Sequence, residues 1–407
     1  MIIMEKNIDY ISAREMLLEY VKSVGTERVP LEESLGRILA RELCAEENVP
    51  SFDRSPYDGY ALRACDTAAA SQDAPVTLRI LEEIAAGSVP HFEVTEGTAV
   101  KILTGAPIPP GADAVVMYEK THFTKSGVTV FSPLKSGENI VRAGEDVRAG
   151  TVLAIPGTVI DAGLCGTLAA QGVTEPEVYM KPVAGIISTG SEVVEIGGEV
   201  PEGKIRNSNR YTLSAALRRA GCETLYLGHA DDRADDIAGL VRRGCVECDA
   251  VFLTGGVSVG DYDLTPEAME RADVTVLFRG VSIKPGMACA YGVKALVPVC
   301  ALSGNPASSM TNFYAVALPA VRKLCGRAEV YPEEITVTLE SGFKKKSPCF
   351  RLLRGRLSLA DGTVRMRLSQ DQGNVVISSA VGCNAMAIVP AGSGPLEPGT
   401  QLKGFLI

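Results

Sequence analysis

Three turns that combine glycine with hydroxyl side chains follow apolar runs in the second half of the chain. They are Thr189-Gly190, Thr254-Gly255-Gly256 and Ser303-Gly304. Glycine lets backbone amides approach a ligand closely, and the hydroxyl groups add hydrogen-bond donors, so the combination suits an anion. One such turn is equally typical of an ordinary tight connection. Their repetition favours a shared anion-binding cleft.

Acidic side chains accompany these turns. Glu192 follows the first turn, the pair Asp261 and Asp263 follows the second, and the pair Asp231 and Asp232 follows the run ETLYLGHA. Carboxylates repel a bound phosphate unless a divalent cation lies between them, so the pattern indicates Mg²⁺ or a similar hard cation. Helix N-capping is the alternative, and it explains one acid of each pair more readily than both.

Two further anion contacts are predicted. Lys284 precedes a Pro-Gly turn that presents its ammonium group, and the sequence SGNP places Asn305 and Pro306 at a predicted helix start. An exposed lysine and an ordinary turn with a helix cap are the alternatives. The candidate ligand-binding residues of all the turns are Ser188, Thr189, Gly190, Thr254, Gly255, Gly256, Ser258, Ser303, Gly304, Asn305 and Pro306.

Composition excludes several classes of function. A net charge of -9 argues against general nucleic-acid binding, although the basic run at 343–356 is expected either to bind an anion locally or to form a solvated face. The three histidines, His91, His122 and His229, lie in poor contexts for a catalytic base, and no P-loop motif occurs.

The cellular address is inferred from the cysteines and from hydropathy. Eleven cysteines, an odd number, are typical of reduced thiols in a cytoplasmic protein, and Cys245-x-x-Cys248 has no second pair at zinc spacing. No apolar run is long enough for a membrane span, and the first 21 residues are interpreted as an amphipathic helix and not as a signal peptide. We therefore expect a cytoplasmic protein without membrane contact.

The order of predicted elements gives the fold class. From about residue 182, apolar strands alternate with helices up to a long helix from Pro306 to about Cys325, which predicts a doubly wound, mostly parallel α/β sheet. In such sheets ligands bind at the carboxyl ends of the strands, where the glycine turns lie. The remainder is rich in short strands, including a hairpin at Asp361-Gly362, and predicts two β-rich domains and a C-terminal β barrel.

Long motifs in this order resemble the molybdopterin molybdenumtransferase family, which includes the bacterial MoeA proteins and the gephyrin E domain. The motifs are FDRSPYDGYALR, LTGAPIPPGADAVVMYE, NIVRAGEDVRAG, STGSE, TGGVSVGDYD, IKPG and SGNP. The likeness extends over essentially the whole chain. It implies a homodimer that inserts molybdate into adenylylated molybdopterin and releases AMP, with Mg²⁺ present.

The resemblance also implies a division into four domains. An elongated β domain comprises 24–49 and 140–176, and a second β-rich domain comprises 50–139. A molybdopterin-binding α/β domain comprises 1–23 and 177–327, and the barrel comprises 328–407. The active site is expected between the α/β domain of one subunit and the second domain of its partner. Contacts with the molybdopterin adenylyltransferase and with downstream molybdoenzymes are also expected.

Residue roles carry over where motifs match. The implied catalytic residues are Asp58, Thr104, Asp146, Glu192, Asp232, Asp263 and Lys284, and the implied Mg²⁺ ligands are Glu192, Asp232 and Asp263. Ser258 and the Gly304-Asn305-Pro306 turn are expected near the molybdate. A looser match places Arg354, Ser378 and Ser379 at anion contacts.

The chain departs from the family pattern at two positions, and two alternative functions remain open. The family often has Pro where this chain has Ser303, and Lys where it has Met287, so one cation near the oxyanion is missing while one hydroxyl is gained. Tungstate matches molybdate in size and charge, and the sequence does not separate them. A molybdopterin adenylyltransferase and a non-catalytic gephyrin-like scaffold are the alternative functions.

Overall fold

The computed structural model describes residues 5–257 and 264–407. The chain forms two compact units. Unit 1 contains 1–41, 156–165 and 175–407, and unit 2 contains 42–155 and 166–174. The four-domain division expected from the sequence is finer than this partition and stays a prediction. No helix within the described residues is both long enough and apolar enough to cross a bilayer.

The described part of the chain contains these elements. The helices are α1 (Tyr10–Glu19), α2 (Ala162–Ala170), α3 (Ser208–Ala220), α4 (Ala234–Glu247), α5 (Thr265–Arg271), α6 (Pro306–Asn312) and α7 (Leu318–Leu324), with a π-helical turn at Phe313–Ala317 between the last two. The strands are β1 (Glu5–Ile8), β2 (Thr26–Arg28), β3 (Leu43–Cys44), β4 (Gly59–Leu62), β5 (Val76–Ile84), β6 (Thr98–Ile102), β7 (Ala114–Met117), β8 (Thr121–Phe123), β9 (Gly127–Val130), β10 (Val152–Ala154), β11 (Glu177–Tyr179), β12 (Val183–Thr189), β13 (Val193–Val194), β14 (Ile205–Arg206), β15 (Glu223–Ala230), β16 (Ala250–Thr254), β17 (Thr275–Val281), β18 (Ile283–Lys284), β19 (Cys289–Lys294), β20 (Val297–Leu302), β21 (Glu334–Leu339), β22 (Phe350–Ala360), β23 (Thr363–Leu368), β24 (Ala385–Val389) and β25 (Gln401–Leu406).

The largest sheet lies in unit 1 and has the order β1-β17-β19-β20-β16-β12-β15. Its last four strands are all parallel to one another, which confirms the predicted parallel sheet. Successive residues of β16 point to opposite faces: Phe252 joins a core with α1, α3 and α7, and Val251 and Leu253 join a core with α4 and α5. The strand is apolar from Ala250 to Leu253 because both faces are covered by helices.

Two local predictions in this sheet were wrong. Residues 5–8 form strand β1, parallel to β17, and the first helix begins only after Asp9, whose carboxylate accepts hydrogen bonds from two backbone amides of that helix. Strand β19 was missed. It is antiparallel to β20 and joins it through Ala295 and Leu296, both with positive φ (48° and 74°), a turn that lacks the usual Asn-Gly signal.

The C-terminal strands close a five-stranded barrel, in the cyclic order β22-β23-β21-β25-β24 and back to β22. The predicted Asp361-Gly362 hairpin is confirmed between β22 and β23. The short strand β18 pairs parallel to β22, with Lys284 opposite Arg351. This pairing ties the barrel to the segment that follows β17.

Unit 2 is built around a sheet with the order β7-β4-β6-β5-β9-β8, antiparallel except for the β5–β6 pair. In β4, Tyr60 and Leu62 point into one core and Ala61 into another. Because side chains alternate along a strand, this central strand is apolar on both faces.

A glycine next to the candidate residue Asp58 gives a test of this sheet. A Cβ atom at Gly59 would lie 2.0 Å from the carbonyl oxygen of Val116 on β7. We expect Gly59→Ala to push β4 from β7 and lower the free energy of unfolding, measured by urea denaturation, by roughly 1–3 kcal/mol. The control Gly166→Ala adds its methyl to open space in α2, where alanine stabilises a helix by up to about 1 kcal/mol. Equal unfolding energies for the two variants would contradict this account.

Candidate functional site

The predicted glycine turns lie together at one edge of the parallel sheet. Strands β12, β16 and β20 end at Thr189, Thr254 and Leu302. The Gly255 amide donates to the Leu302 carbonyl (3.0 Å), and the Thr189 hydroxyl donates to the Thr254 carbonyl (3.3 Å). The parallel register therefore joins the three strand ends into one surface.

Glycine is required where these turns touch. Gly190 has a φ of 119°, and a Cβ atom there would lie 2.5 Å from a carboxylate oxygen of Glu192. Gly255 has a φ of 106°, and its Cβ atom would lie 2.6 Å from the Thr189 carbonyl oxygen. The positive φ strains any other residue at both positions. At Gly255 the rigid backbone contact also leaves no space for a Cβ atom, whereas at Gly190 a Cβ atom would displace the Glu192 carboxylate.

A pocket, here called the strand-tip pocket, opens at this edge. Its lining combines hydroxyl and amide groups with one acidic and one basic side chain. The lining residues are Ser188, Thr189, Glu192, Val193, Ile205, Arg206, Asn207, Ser208, Asn209, Thr254, Gly304 and Pro306. Six of the predicted ligand-binding and catalytic residues are thus brought together, namely Ser188, Thr189, Glu192, Thr254, Gly304 and Pro306.

Asn207 and Asn209 are pocket residues that the sequence analysis missed. Asn207 caps α3 by accepting from the Arg210 amide, and its Nδ2 donates to Ser188 Oγ (2.8 Å) and to Glu195 (2.7 Å). Asn209 Nδ2 donates to the Gly304 carbonyl (2.8 Å). The available signal was the Asn-Ser-Asn stretch at 207–209, directly before and at the start of α3.

A hydrogen-bond network holds Asn207 from behind. Glu195 accepts from Asn207, from the Tyr226 hydroxyl (3.0 Å) and from Arg210 (2.5 Å), whose guanidinium stacks on the Tyr226 ring. Burial opposes ionisation of Glu195, but these donors outweigh it and lower the pKa of the carboxyl. The ionised Glu195 thereby fixes the amide orientation of Asn207, and through it the donor facing Ser188.

Two of the three predicted metal ligands flank the first turn. Asp232 accepts a hydrogen bond from the Ser191 amide (3.2 Å), and the Glu192 carboxylate lies against Gly190. Asp263, Asp261 and Ser258 lie outside the described residues. Within 5–257 and 264–407 there is no group of three or more metal-binding side chains. Glu192 and Asp232 form no ion pair in that part of the chain, and their hard oxygen donors suit a cation such as Mg²⁺.

His229 contacts the first glycine turn. Its Nε2 lies 2.8 Å from the Gly190 carbonyl oxygen, so the ring supports the first turn from the end of β15.

A second pocket of about 350 Å³ lies on the other side of the Ser303–Pro306 turn. We call it the lysine–arginine pocket, because Lys284, Lys345 and Arg351 line it and no carboxylate within 5–257 and 264–407 does. None of these three cations forms an ion pair within the described residues. The remaining lining residues are Pro285, Gly286, Met287, Ala288, Ser303, Asn305, Ser308, Gln372, Gly373 and Asn374.

The barrel contributes differently from the expectation. Arg354 is fully buried and does not line the pocket; it donates to Ser379 Oγ (3.1 Å) and to the Gly373 carbonyl (3.1 Å), and burial lowers the pKa of its guanidinium. Arg351, three residues earlier, supplies the barrel arginine of the lining together with Lys345. The basic run at 343–356 was the signal for both.

In unit 2, Asp58 and Thr104 form a direct pair. The Asp58 carboxylate accepts from the Thr104 amide (2.7 Å) and from its hydroxyl (2.8 Å), and these two bonds lower the pKa of Asp58. Asp146 is exposed, and its amide donates to the Val49 carbonyl. Within the described part of the chain, no hydrogen bond or ion pair joins Asp146 to the pair.

Two family models match the chain. A model described as the MoeA N-terminal region (domain I and II) matches residues 8–172, and one described as a probable molybdopterin binding domain matches residues 185–323.

Named proteins are similar over nearly the whole chain. The molybdopterin molybdenumtransferase of Bacillus subtilis is 36% identical over 392 residues, which cover 95% of this chain and 91% of that protein. The protein of the same name from Staphylococcus epidermidis is 34% identical over 399 residues, covering 97% and 95%. The crystal structure of the molybdopterin biosynthesis moeA protein from Pyrococcus horikoshii OT3 matches with a TM-score of 0.86 at 32% identity, covering 98% of this chain and 100% of that one.

The Asp58–Thr104 pair predicts a pH effect. Thr104→Val removes one of the two bonds to the carboxylate, so the pKa of Asp58 should rise toward its ordinary value without reaching it. Because the folded-state pKa is depressed, the contact stabilises the fold above the unfolded-state pKa, and that stability is lost as pH falls through the folded pKa. The variant should lose less stability over this acidic range.

The measurement is an NMR titration of the Asp58 carboxyl carbon. Thr77→Val is the control, because its hydroxyl bonds Thr129 and not Asp58. An Asp58 pKa that is the same in Thr104→Val and in the wild type would contradict the assignment.

Proposed function

Because the chain belongs to the molybdopterin molybdenumtransferase family, we propose that it inserts molybdate into adenylylated molybdopterin and releases AMP. The observation that carries this proposal is the pair of pockets on either side of the Ser303–Pro306 turn. The strand-tip pocket offers mostly neutral groups with one carboxylate, Glu192, and one cation, Arg206, whereas the lysine–arginine pocket offers three cations. Two substrates that react together, one with a phosphoanhydride and the other a tetrahedral oxyanion, need these two environments side by side.

The lysine–arginine pocket suits molybdate. A dianion without its hydration shell requires positive charge and directed donors, which Lys284, Lys345 and Arg351 supply together with the Ser303 hydroxyl. The two departures from the family pattern, Ser303 and Met287, both line this pocket. Lys345 and Arg351 supply positive charge to the pocket that Met287 does not, and tungstate fits the same chemistry.

The strand-tip pocket suits the phosphoanhydride. Glu192 and Asp232, with Asp263, are proposed to hold Mg²⁺, which when bound would neutralise charge on the phosphate oxygens. Ser188, held by Asn207, and the turn amides would orient the phosphates. Attack of a water or molybdate oxygen on the pterin phosphorus would form a new P–O bond as the phosphoanhydride P–O bond breaks, which leaves the electron pair of the broken bond on the AMP phosphate. Fixed donors near that oxygen would stabilise the developing charge.

Asp58, Thr104 and Asp146 are proposed to complete the site from the partner subunit of a homodimer. Asp58 is ionised near neutral pH, as a residue that orients a cation or a hydroxyl group must be, and the hydrogen bonds from Thr104 lower its pKa further and fix the direction of the carboxylate. We further propose a cytoplasmic location, and contacts with the adenylyltransferase that supplies the substrate and with the molybdoenzymes that receive the product.

The two alternatives are less well supported. The similarity to named transferases covers unit 2 and the barrel as well as the α/β sheet, so a single-domain adenylyltransferase accounts for only part of the chain. Supplying molybdopterin with ATP separates the two, because only an adenylyltransferase forms the adenylylated pterin. A scaffold would leave adenylylated molybdopterin intact.

The oxyanion assignment predicts a selective change in KM. Arg351→Ala removes a cation from the lysine–arginine pocket and should raise the KM for molybdate about tenfold, since a charge-assisted hydrogen bond contributes about 1.5–3 kcal/mol. Arg356→Ala removes the same charge from an exposed position on the same strand and should leave KM unchanged. The readout is AMP release at varied molybdate and tungstate. Equal KM values for the two variants would refute the assignment.

The acidic residues predict a loss of turnover. Asp58→Ala and Asp263→Ala should each still unfold in one cooperative thermal transition, with a lower midpoint for Asp58→Ala because its contact with Thr104 is lost. Each should release AMP at least about hundredfold more slowly, because each removes a carboxylate from the proposed reacting centre. Asp73→Ala, at an exposed position of unit 2, should behave as the wild type. Wild-type turnover in either test variant would rule out its catalytic role.

A further inference from the structure

A third pocket, the helix-end pocket, lies where α3 and α7 end. Its volume is about 80 Å³, and it shares no lining residue with the two pockets described above. The lining residues are Gly36, Arg37, Ile38, Tyr179, Met180, Lys181, Arg219, Ala220, Gly221, Cys325 and Arg327. The space suits one tetrahedral oxyanion and is too small for a nucleoside.

The lining is strongly basic. Arg37, Lys181, Arg219 and Arg327 come from four separate segments of unit 1, and no carboxylate among the described residues lines the pocket. Arg37 is compensated, because it pairs with Glu27 and donates to the Tyr179 carbonyl (2.9 Å). The other three cations form no ion pair within the described residues. Three positive charges are therefore gathered without a protein counter-charge.

Complementing the helix ends does not explain these cations. Basic side chains near a helix C-terminus often serve its free carbonyl groups. Here backbone amides already serve them: Gly221 and Cys222 donate to carbonyls of α3, and Cys325, Gly326 and Arg327 donate to carbonyls of α7. The charges of Arg219 and Arg327 are thus available to a ligand.

We propose that the helix-end pocket binds a single dianionic phosphate group, either as free phosphate or as the phosphate of a small phosphomonoester. Guanidinium groups bind phosphate with paired, charge-assisted hydrogen bonds, and Lys181 adds a third positive charge. Of the lining residues Cys325 is buried, whereas Lys181 and Arg219 are exposed, so the phosphate would bind with its free oxygens or its ester group toward solvent. This site is independent of the proposed active site.

The test is equilibrium dialysis of the full chain against radiolabelled inorganic phosphate. Arg219→Glu reverses a charge in the pocket and should weaken one phosphate site at least about tenfold. Arg218→Glu makes the same charge change one residue earlier, where the side chain donates to Thr224 and does not line the pocket, and should leave that site intact. Both variants are also measured with Arg351→Ala, which separates binding at the lysine–arginine pocket.

The outcomes decide the proposal. Loss of one site in Arg219→Glu alone supports it, and competition by methyl phosphate then separates a phosphomonoester ligand from free phosphate. Equal loss in both variants would show a general charge effect, and full binding in Arg219→Glu would exclude the site; either result overturns the proposal. If Arg219→Glu lowers the thermal midpoint measured without phosphate, Arg327→Gln replaces it under the same criteria.

Discussion

The site depends on the register of four parallel strands. Ser188 of β12 lies opposite Thr254 of β16 and His229 of β15, and Thr254 lies opposite Leu302 of β20. Because hydrogen bonds between parallel strands fix this register, the strands end at one level and their turns touch. Gly190 and Gly255 carry no side chains and have positive φ. The backbone amides of the turns and the hydroxyl groups of the neighbouring Ser and Thr residues are therefore left accessible at this edge.

The Ser303–Pro306 turn divides the ligand-binding surface by charge. Its alternate residues face different pockets, with Gly304 and Pro306 on the strand-tip side and Ser303 and Asn305 on the cationic side. Asn209 donates a hydrogen bond to the Gly304 carbonyl of this turn. Strand β18, which contains Lys284, pairs with barrel strand β22, which contains Arg351. The same short segment therefore connects the proposed phosphate-binding edge to the proposed oxyanion pocket, an arrangement that suits a reaction between two anionic substrates.

Residues outside the pocket lining hold the lining residues in place through specific hydrogen bonds. Glu195, Arg210 and Tyr226 fix Asn207, and His229 holds the Gly190 carbonyl, although none of these four side chains was a candidate for binding. In unit 2 the Thr104 amide and hydroxyl do the same for Asp58. Fixed partners of this kind determine protonation and direction before a ligand arrives.

The amino-acid sequence alone determined the alternation of strands and helices, the glycine turns at strand ends, the Asp361-Gly362 hairpin and the family motifs, because periodicity and turn chemistry are local properties. It did not determine strand β1, strand β19 or the choice of Arg351 over Arg354 as a pocket residue. An extended EKNI segment is stable only when paired with β17, and the β19–β20 turn uses Ala295 and Leu296 against their usual preference. Which barrel arginine faces the pocket depends on the pairing of β22 with β18, a contact between residues far apart in the chain that only tertiary structure decides.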